Sequence, residues 1–290
     1  MTDKGSLGIQ ANMLFFYYQN LDGAVKFYRD ILGLDMVLDY GFAKVFQVSK
    51  TLFLGLVDET QGMHNSSEPK TVTLSTVTAE IDAWYEYLVD FGVQMHRPLN
   101  DSSRLPIRGF VALDPEGYFL EFETFLQHPQ NENFLPILSP EKNIYPLEGA
   151  ESVRPEELGI QANIIWIYCM DLEEAQGFYE EIFGFKLLVD QGFAKVYSSS
   201  PTAFVGLVDQ AQGLHRFSEN KAVTLSFISN QIDSWHQHLK KSGLKMLEDL
   251  SDSATIPVRA FVTTDVDGYF IDFDRFLDDE RNAKILRLLK

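Results

Sequence analysis

The stretch Gly41-Phe42-Ala43-Lys44-Val45 returns unchanged as Gly192-Phe193-Ala194-Lys195-Val196, and the shift of 151 residues that superimposes them brings most of the chain into register. Without a gap, the same shift lays Leu7-Gly8-Ile9-Gln10-Ala11-Asn12 on Leu158-Gly159-Ile160-Gln161-Ala162-Asn163, and Gly55-Leu56-Val57-Asp58 on Gly206-Leu207-Val208-Asp209. Nearly half the residues between Leu7 and Leu126 match their partners. Identity sustained over a whole domain length marks two copies of one fold in tandem. The reading places a first domain at residues 1–130, a connector at 131–157 and a second domain at 158–290. The connector is drawn where 127–157 carries five prolines, which discourage both helix and sheet.

Outward from the repeated stretch, each copy reads as two βαβββ units. Gly8 to Tyr18 is short, aromatic and apolar on both faces, the signature of a strand inside a covered sheet. Asn20, and Asp171 in the second copy, are placed to cap a helix whose apolar face is Leu21, Ala24, Phe27, Tyr28 and Ile31, ending at Gly33. Strands are predicted near 36–39, 43–48 and 52–57. After a polar loop the pattern restarts with a strand at 72–77, a helix carrying Ile81, Trp84, Tyr85 and Leu88 on one face, and strands near 93–96, 107–113 and 118–125. Asp114-Pro115-Glu116-Gly117 forms the turn between the last two. Beyond the last strand of each copy an apolar tail recurs, Phe134, Leu135, Ile137 and Leu138 against Ile285, Leu286, Leu288 and Leu289. It is expected to dock on its own or the neighbouring domain.

Bulk properties narrow the function. The 290 residues suffice for two self-sufficient cores, each expected around its own tryptophan, Trp84 or Trp235. A formal charge of −18 repels phosphate backbones and anionic lipid, so neither nucleic acid nor membrane is expected as a partner. No apolar run approaches the roughly 20 residues of a bilayer crossing. The single cysteine, Cys169, and a start, Met-Thr-Asp-Lys-Gly-Ser, without the apolar core of a secretory signal point to the cytoplasm. No phosphate loop, nucleophile elbow or Cys-x-x-Cys motif is present.

Paired βαβββ units, together with Asn20-Leu21, Phe27-Tyr28-Arg29-Asp30-Ile31-Leu32-Gly33-Leu34 and Asp114 through Phe122, resemble the vicinal oxygen chelate superfamily of glyoxalase I, fosfomycin-resistance enzymes, bleomycin-binding proteins and extradiol dioxygenases. The resemblance covers nearly the whole chain outside the connector. It implies an α+β fold of two tandem domains, each a curved mixed-sheet cup of two βαβββ units, with the halves docked as an intramolecular pseudo-dimer. It also implies four metal-ligand positions per cup, at Met13, about Gly55, Val72 and Glu121, and at Ile164, about Gly206, Val223 and Asp272. One carboxylate per domain survives. A transition metal held by protein wants three or four N, O or S ligands, so no cofactor is expected. The function implied is a small-molecule-binding protein of the bleomycin-binding kind, with a small organic molecule as partner. The alternative is a metal-dependent lyase, isomerase or dioxygenase using non-standard ligands, and whether the chain is catalytic stays open.

Several side chains are candidates for that pocket. Glu121 and Asp272 lie on a strand where Phe119, Glu121 and Glu123 alternate onto one face. Buried carboxyls there serve as bases or meet a cationic group. Lys44, Lys195, Arg108 and Arg259 on inner strands either pair with a carboxylate such as Glu121 or await an anionic ligand. His64 and His215 repeat in the loop between units and are placed to overhang the cup, or to pack on their own domain. Tyr17 and Tyr168, alternating with Met13, Phe15, Ile164 and Trp166, would make an aromatic wall or a plain core.

Overall fold

The computed structural model describes residues 7–101, 105–146 and 153–290. The start 1–6 and connector residues 147–152 lie outside them. Four βαβββ units follow in order. The first is β1 (Ala11–Tyr18), α1 (Leu21–Lys26), β2 (Asp35–Asp39), β3 (Ala43–Ser49) and β4 (Leu52–Asp58). The second is β5 (Val72–Val77), α2 (Ile81–Asp90), β6 (Met95–Asp101), β7 (Ile107–Leu113) and β8 (Phe119–Phe125), followed by the short tail helix α3 (Leu135–Leu138). The second repeat gives β9 (Ala162–Cys169), α4 (Leu172–Gly177), β10 (Lys186–Asp190), β11 (Ala194–Ser198) and β12 (Ala203–Asp209). It closes with β13 (Val223–Ile228), α5 (Ile232–Lys241), β14 (Glu248–Asp252), β15 (Val258–Thr264), β16 (Phe270–Phe276) and α6 (Ala283–Leu288).

Local chemistry sets these boundaries. Asn20 Oδ1 accepts from Gly23 N at 3.0 Å, and Asp171 Oδ1 accepts from Glu173 and Glu174 N at 3.0 and 3.1 Å, capping α1 and α4. Each helix then widens into one π turn, Phe27–Ile31 and Phe178–Ile182, which sets two adjacent aromatic rings, Phe27–Tyr28 and Phe178–Tyr179, into the core. Gly33 and Gly184 end the turns at positive φ.

The strands form two eight-stranded sheets, ordered β14-β15-β16-β13-β1-β4-β3-β2 and β10-β11-β12-β9-β5-β8-β7-β6. The two-cup α+β architecture stands, but neither cup belongs to one repeat. An outer cup joins the first unit of repeat one to the second unit of repeat two through antiparallel β1 and β13, and an inner cup joins the two middle units through β5 and β9. Because the repeats share one apolar pattern, β1 is as well matched to β13 as to β5, and sequence periodicity does not choose between them. The expectation of a separate core for each half is therefore corrected. A single cluster holds Leu14, Phe16, Trp84 and Phe122 together with Ile165, Tyr179, Trp235 and Phe273, drawn from both sheets and both repeats. Phe16 of one sheet stacks on Tyr118, the residue leading into β8 of the other, at 3.8 Å. Tyr118 Oη accepts from Tyr17 N and donates to Ala222 O, and Tyr269 makes the equivalent bridge between Tyr168 N and Thr71 O.

Near the centre, Thr51 Oγ1 and Thr202 Oγ1 lie 2.9 Å apart, and each backbone N donates to the other's hydroxyl at 2.9 Å. The two threonines are equivalent in the repeat, so the contact marks a pseudo-two-fold axis between the halves. The tails dock across it. Lys284 at the start of α6 reaches Asp35 and Met36 O on β2, while Phe134 packs on Phe125 and on Phe204 of β12.

Candidate functional site

Strand alternation decides what enters the cups. On β8 the cup face carries Phe119, Glu121 and Glu123, and on β5 it carries Thr73 and Ser75, while Val72 and Leu74 join the shared core behind the sheet. Val72 and its counterpart Val223 therefore face away from the cups, which corrects their assignment as cup-lining positions. Thr73, Ser75, Thr224 and Ser226 stand there instead.

In the inner cup, Ser75 Oγ donates to Glu123, and Tyr168 Oη and Thr73 Oγ1 lie 2.7 Å apart. Glu121, two residues from Glu123 on the same face, makes no hydrogen bond to the described residues. Burial, then the neighbouring Glu123 charge, pushes the Glu121 carboxyl well above the usual range, with Arg97 opposing. Glu123 is pushed up to about 7 by burial, against the stabilising Ser75 bond. These two carboxyls, Arg97, Gln191, Phe193, Trp166 and Tyr168 line a cavity of about 450 Å³. Trp166 is 6% exposed, and its indole N–H, on the Glu123 side, completes no well-formed hydrogen bond. Among the described residues Gln191 Nε2 is likewise buried and without a partner. His215 packs its ring on Phe119 at 4.3 Å and on Tyr168 at 4.9 Å, so it overhangs this cup. Burial, then the nearby His96, holds it neutral with its pKa lowered to about 4.

The outer cup repeats the scheme. Tyr17 Oη meets Thr224 Oγ1 at 2.7 Å, and Ser226 Oγ donates to Asp274 at 2.7 Å. Asp272 lies beside Asp274 with a buried, unpartnered Oδ1. Burial, then Asp274 and Glu248, raises Asp272, and burial raises Asp274 to about 6. His64 sits between Tyr17 and Phe270, its Nδ1 2.9 Å from Glu68. Burial lowers its pKa, with Glu68 opposing.

The four basic candidates are elsewhere. Lys44 Nζ binds both oxygens of Asp39 at 2.7 Å, and Lys195 binds Asp190 at 2.6 Å. The same aspartates accept from Gly41 and Gly192 N, at φ +83° and +82°. The repeated stretch is thus a hairpin clasp in which a left-handed glycine is pinned by a carboxylate. Arg108 pairs with Asp82 and Asp101, and Arg259 with Asp233 and Asp252. None pairs with Glu121, because β3, β7, β11 and β15 turn these side chains to the faces opposite Ala43, Ile107, Ala194 and Val258, which enter the cups.

Apart from Glu121 and Asp272, the side chains at the family metal positions do not suit a metal ion. At Gly55 and Gly206, a Cβ would lie 2.3 Å from the Phe15 ring and 2.0 Å from the Trp166 ring, so an aromatic side chain lies flat where a ligand side chain would project. Met13 and Ile164 are fully buried in the cup floors. Among the described residues no group of three His, Cys, Asp or Glu side chains suits a metal ion.

Sequence reading passed over Gln191, Ser75, Ser226 and the partner role of Glu123 and Asp274. The alternation that selected Glu121 already put Glu123 beside it, and Ser75 recurs as Ser226; both signals were available. Gln191 had no such signal, since its counterpart is Tyr40.

Comparison with known proteins agrees with this fold. The Glyoxalase/Bleomycin resistance protein/Dioxygenase superfamily matches residues 10–122 and 161–273. Glyoxalase I from Zea mays superposes with a TM-score of 0.64 at 14% identity, covering 97% of this chain and 95% of that one. A putative dioxygenase from Bacillus subtilis gives 0.63 at 12% identity, covering 96% and 90%. At such identities the likeness is one of fold. No curated protein matches the chain. Among the described residues no helix is long and apolar enough to cross a membrane.

Proposed function

Because the chain belongs to the Glyoxalase/Bleomycin resistance protein/Dioxygenase superfamily, we propose that it is a small-molecule-binding protein whose working site is the inner cup and which functions without a bound metal. The observation that carries the reading is the cavity of about 450 Å³, walled by Trp166, Tyr168 and Phe193 and holding one unpartnered carboxyl, Glu121. A recess with aromatic walls and convergent polar groups is a common form of organic-ligand site. A pair of carboxyls on one strand, without a third ligand, does not hold a transition ion against water and buffer. A cytoplasmic setting and a small organic partner belong to the same proposal.

The test is metal analysis of protein purified without chelators, alongside a small-molecule screen read by thermal shift and calorimetry. The reading expects substoichiometric metal and at least one organic ligand whose binding is lost in Trp166→Ala. About one equivalent of iron, zinc, nickel or manganese per cup, lost together with activity in Glu121→Ala/Asp272→Ala, would overturn it in favour of a lyase, isomerase or dioxygenase.

A further inference from the structure

The polar groups of the inner cup specify more than a greasy pocket. Glu123 is held by Ser75, whereas Glu121 faces the cavity with no hydrogen bond to the described residues. The charged and titratable groups around Glu121 are Glu123 on its own strand, Arg97 and Asp101 from β6, Tyr168 from β9 and, across Phe119, His96 from β6 and His215 from the loop after β12. Tyr168 Oη is engaged with Thr73, and Arg97 stands exposed, acting on Glu121 through its charge. Among the described residues nothing else bonds Glu121, so a cationic donor on a ligand would give its carboxylate form the partner it lacks. The second observation is independent: Trp166, Tyr168 and Phe193 wall the same cavity and suit an aromatic body.

We infer that the inner cup selects a protonated amine carried on an aromatic body, its ammonium meeting Glu121 and Glu123. The inference rests on the proposed binding function and names its ligand class. When the ammonium enters, the proton held by the carboxyl pair leaves to buffer, because two carboxylates beside one cation are favoured over a carboxylic acid beside it. Binding therefore strengthens as pH rises through the pair's titration.

Calorimetry on the full chain with tyramine, tyrosol and 4-hydroxyphenylacetate tests this, since the three differ mainly in a cationic, neutral or anionic end. Tyramine should bind at least about tenfold more tightly than the other two. Its affinity should rise from pH 6 to pH 8, with proton release visible as a difference between phosphate and Tris buffers. Glu121→Gln should abolish the preference while leaving the melting temperature equal or higher. Equal or tighter binding of tyrosol or 4-hydroxyphenylacetate, or tyramine binding indifferent to Glu121→Gln, would overturn the inference. If tyrosol binds equally well and Gln191→Tyr removes it, the cup remains a binding site and only the cation falls. If none of the three binds at millimolar concentration, both readings fall.

Discussion

The inner and outer cups are built from equivalent strands in equivalent order, yet they treat their interiors differently. At the position where the inner cup has Gln191 lining a cavity, the outer cup has Tyr40, whose ring packs with Phe15, Ile256, Ala260 and Leu286 against the cup floor. Its Oη donates to Asn282 Oδ1 at 2.5 Å. The inner counterpart Asn131 keeps a buried, unpartnered Oδ1. Charge differs as well, since Glu121 has Arg97 nearby and Asp272 has Glu248. Duplication supplies two equal scaffolds, and a few unequal residues give the two interiors different polar groups and different charge.

The comparison breaks first where the cups are not separate. Trp84 packs behind the inner cup on Phe122 and donates to Gly159 O, and Trp235 packs behind the outer cup on Phe273 and donates to Gly8 O. Either Trp→Ala change should cost about 3–5 kcal/mol, and chemical denaturation should show one transition for the whole chain. Two transitions, one of them unmoved, would restore independent halves. Next in size is Gln191→Tyr, which rebuilds the outer cup's filling in the inner one. Ligand affinity should fall about 100-fold or more by calorimetry, with stability kept or raised. Retained affinity would show that Tyr40 is not what closes the outer cup.

A third prediction uses pH. Folded-state values of about 7 for Glu123 and about 6 for Asp274 lie above the roughly 4 of an unfolded chain. A carboxyl raised in this way binds its proton more tightly when folded. Its contribution therefore favours folding at low pH and turns against it as pH rises from about 4 towards the folded value. Glu123→Gln should stabilise the protein at pH 8 relative to pH 5 by on the order of 1–3 kcal/mol, measured by urea melts. Asp274→Asn should do so by less, with its change complete near pH 6. A variant less stable at pH 8 than at pH 5, relative to the parent, would reverse the sign assigned to the pair. The smallest effect is expected at Lys44→Ala and Lys195→Ala, which remove part-exposed pairs worth about 0.5 kcal/mol and should leave ligand binding untouched.

Much of this was legible in the chain. The 151-residue register, the strand alternation and the capping residues Asn20 and Asp171 give four βαβββ units, because each is a local property. The exchange of units between cups was not legible, since β5 and β13 present the same Val-Thr-Leu-Ser pattern to β1. At the site, alternation put Glu121 with Glu123, and Tyr17 and Tyr168 with Met13 and Ile164, on single faces, and the family resemblance turned those faces into the cups. The same rule, applied to Lys44 beside Ala43 and to Arg108 beside Ile107, would have turned both basic residues out of the cups. The difference between the cups at Tyr40 and Gln191 acquires meaning only once the tail residues Asn282 and Asn131 are seen beside them.

The most direct test is ligand stoichiometry by calorimetry, using the tightest compound from the screen, on the parent protein, Gln191→Tyr and Tyr40→Gln. The account predicts one ligand per chain, then none, then a second and weaker site in addition to the first. Two equal sites in the parent, or a single site that survives Gln191→Tyr, would contradict it.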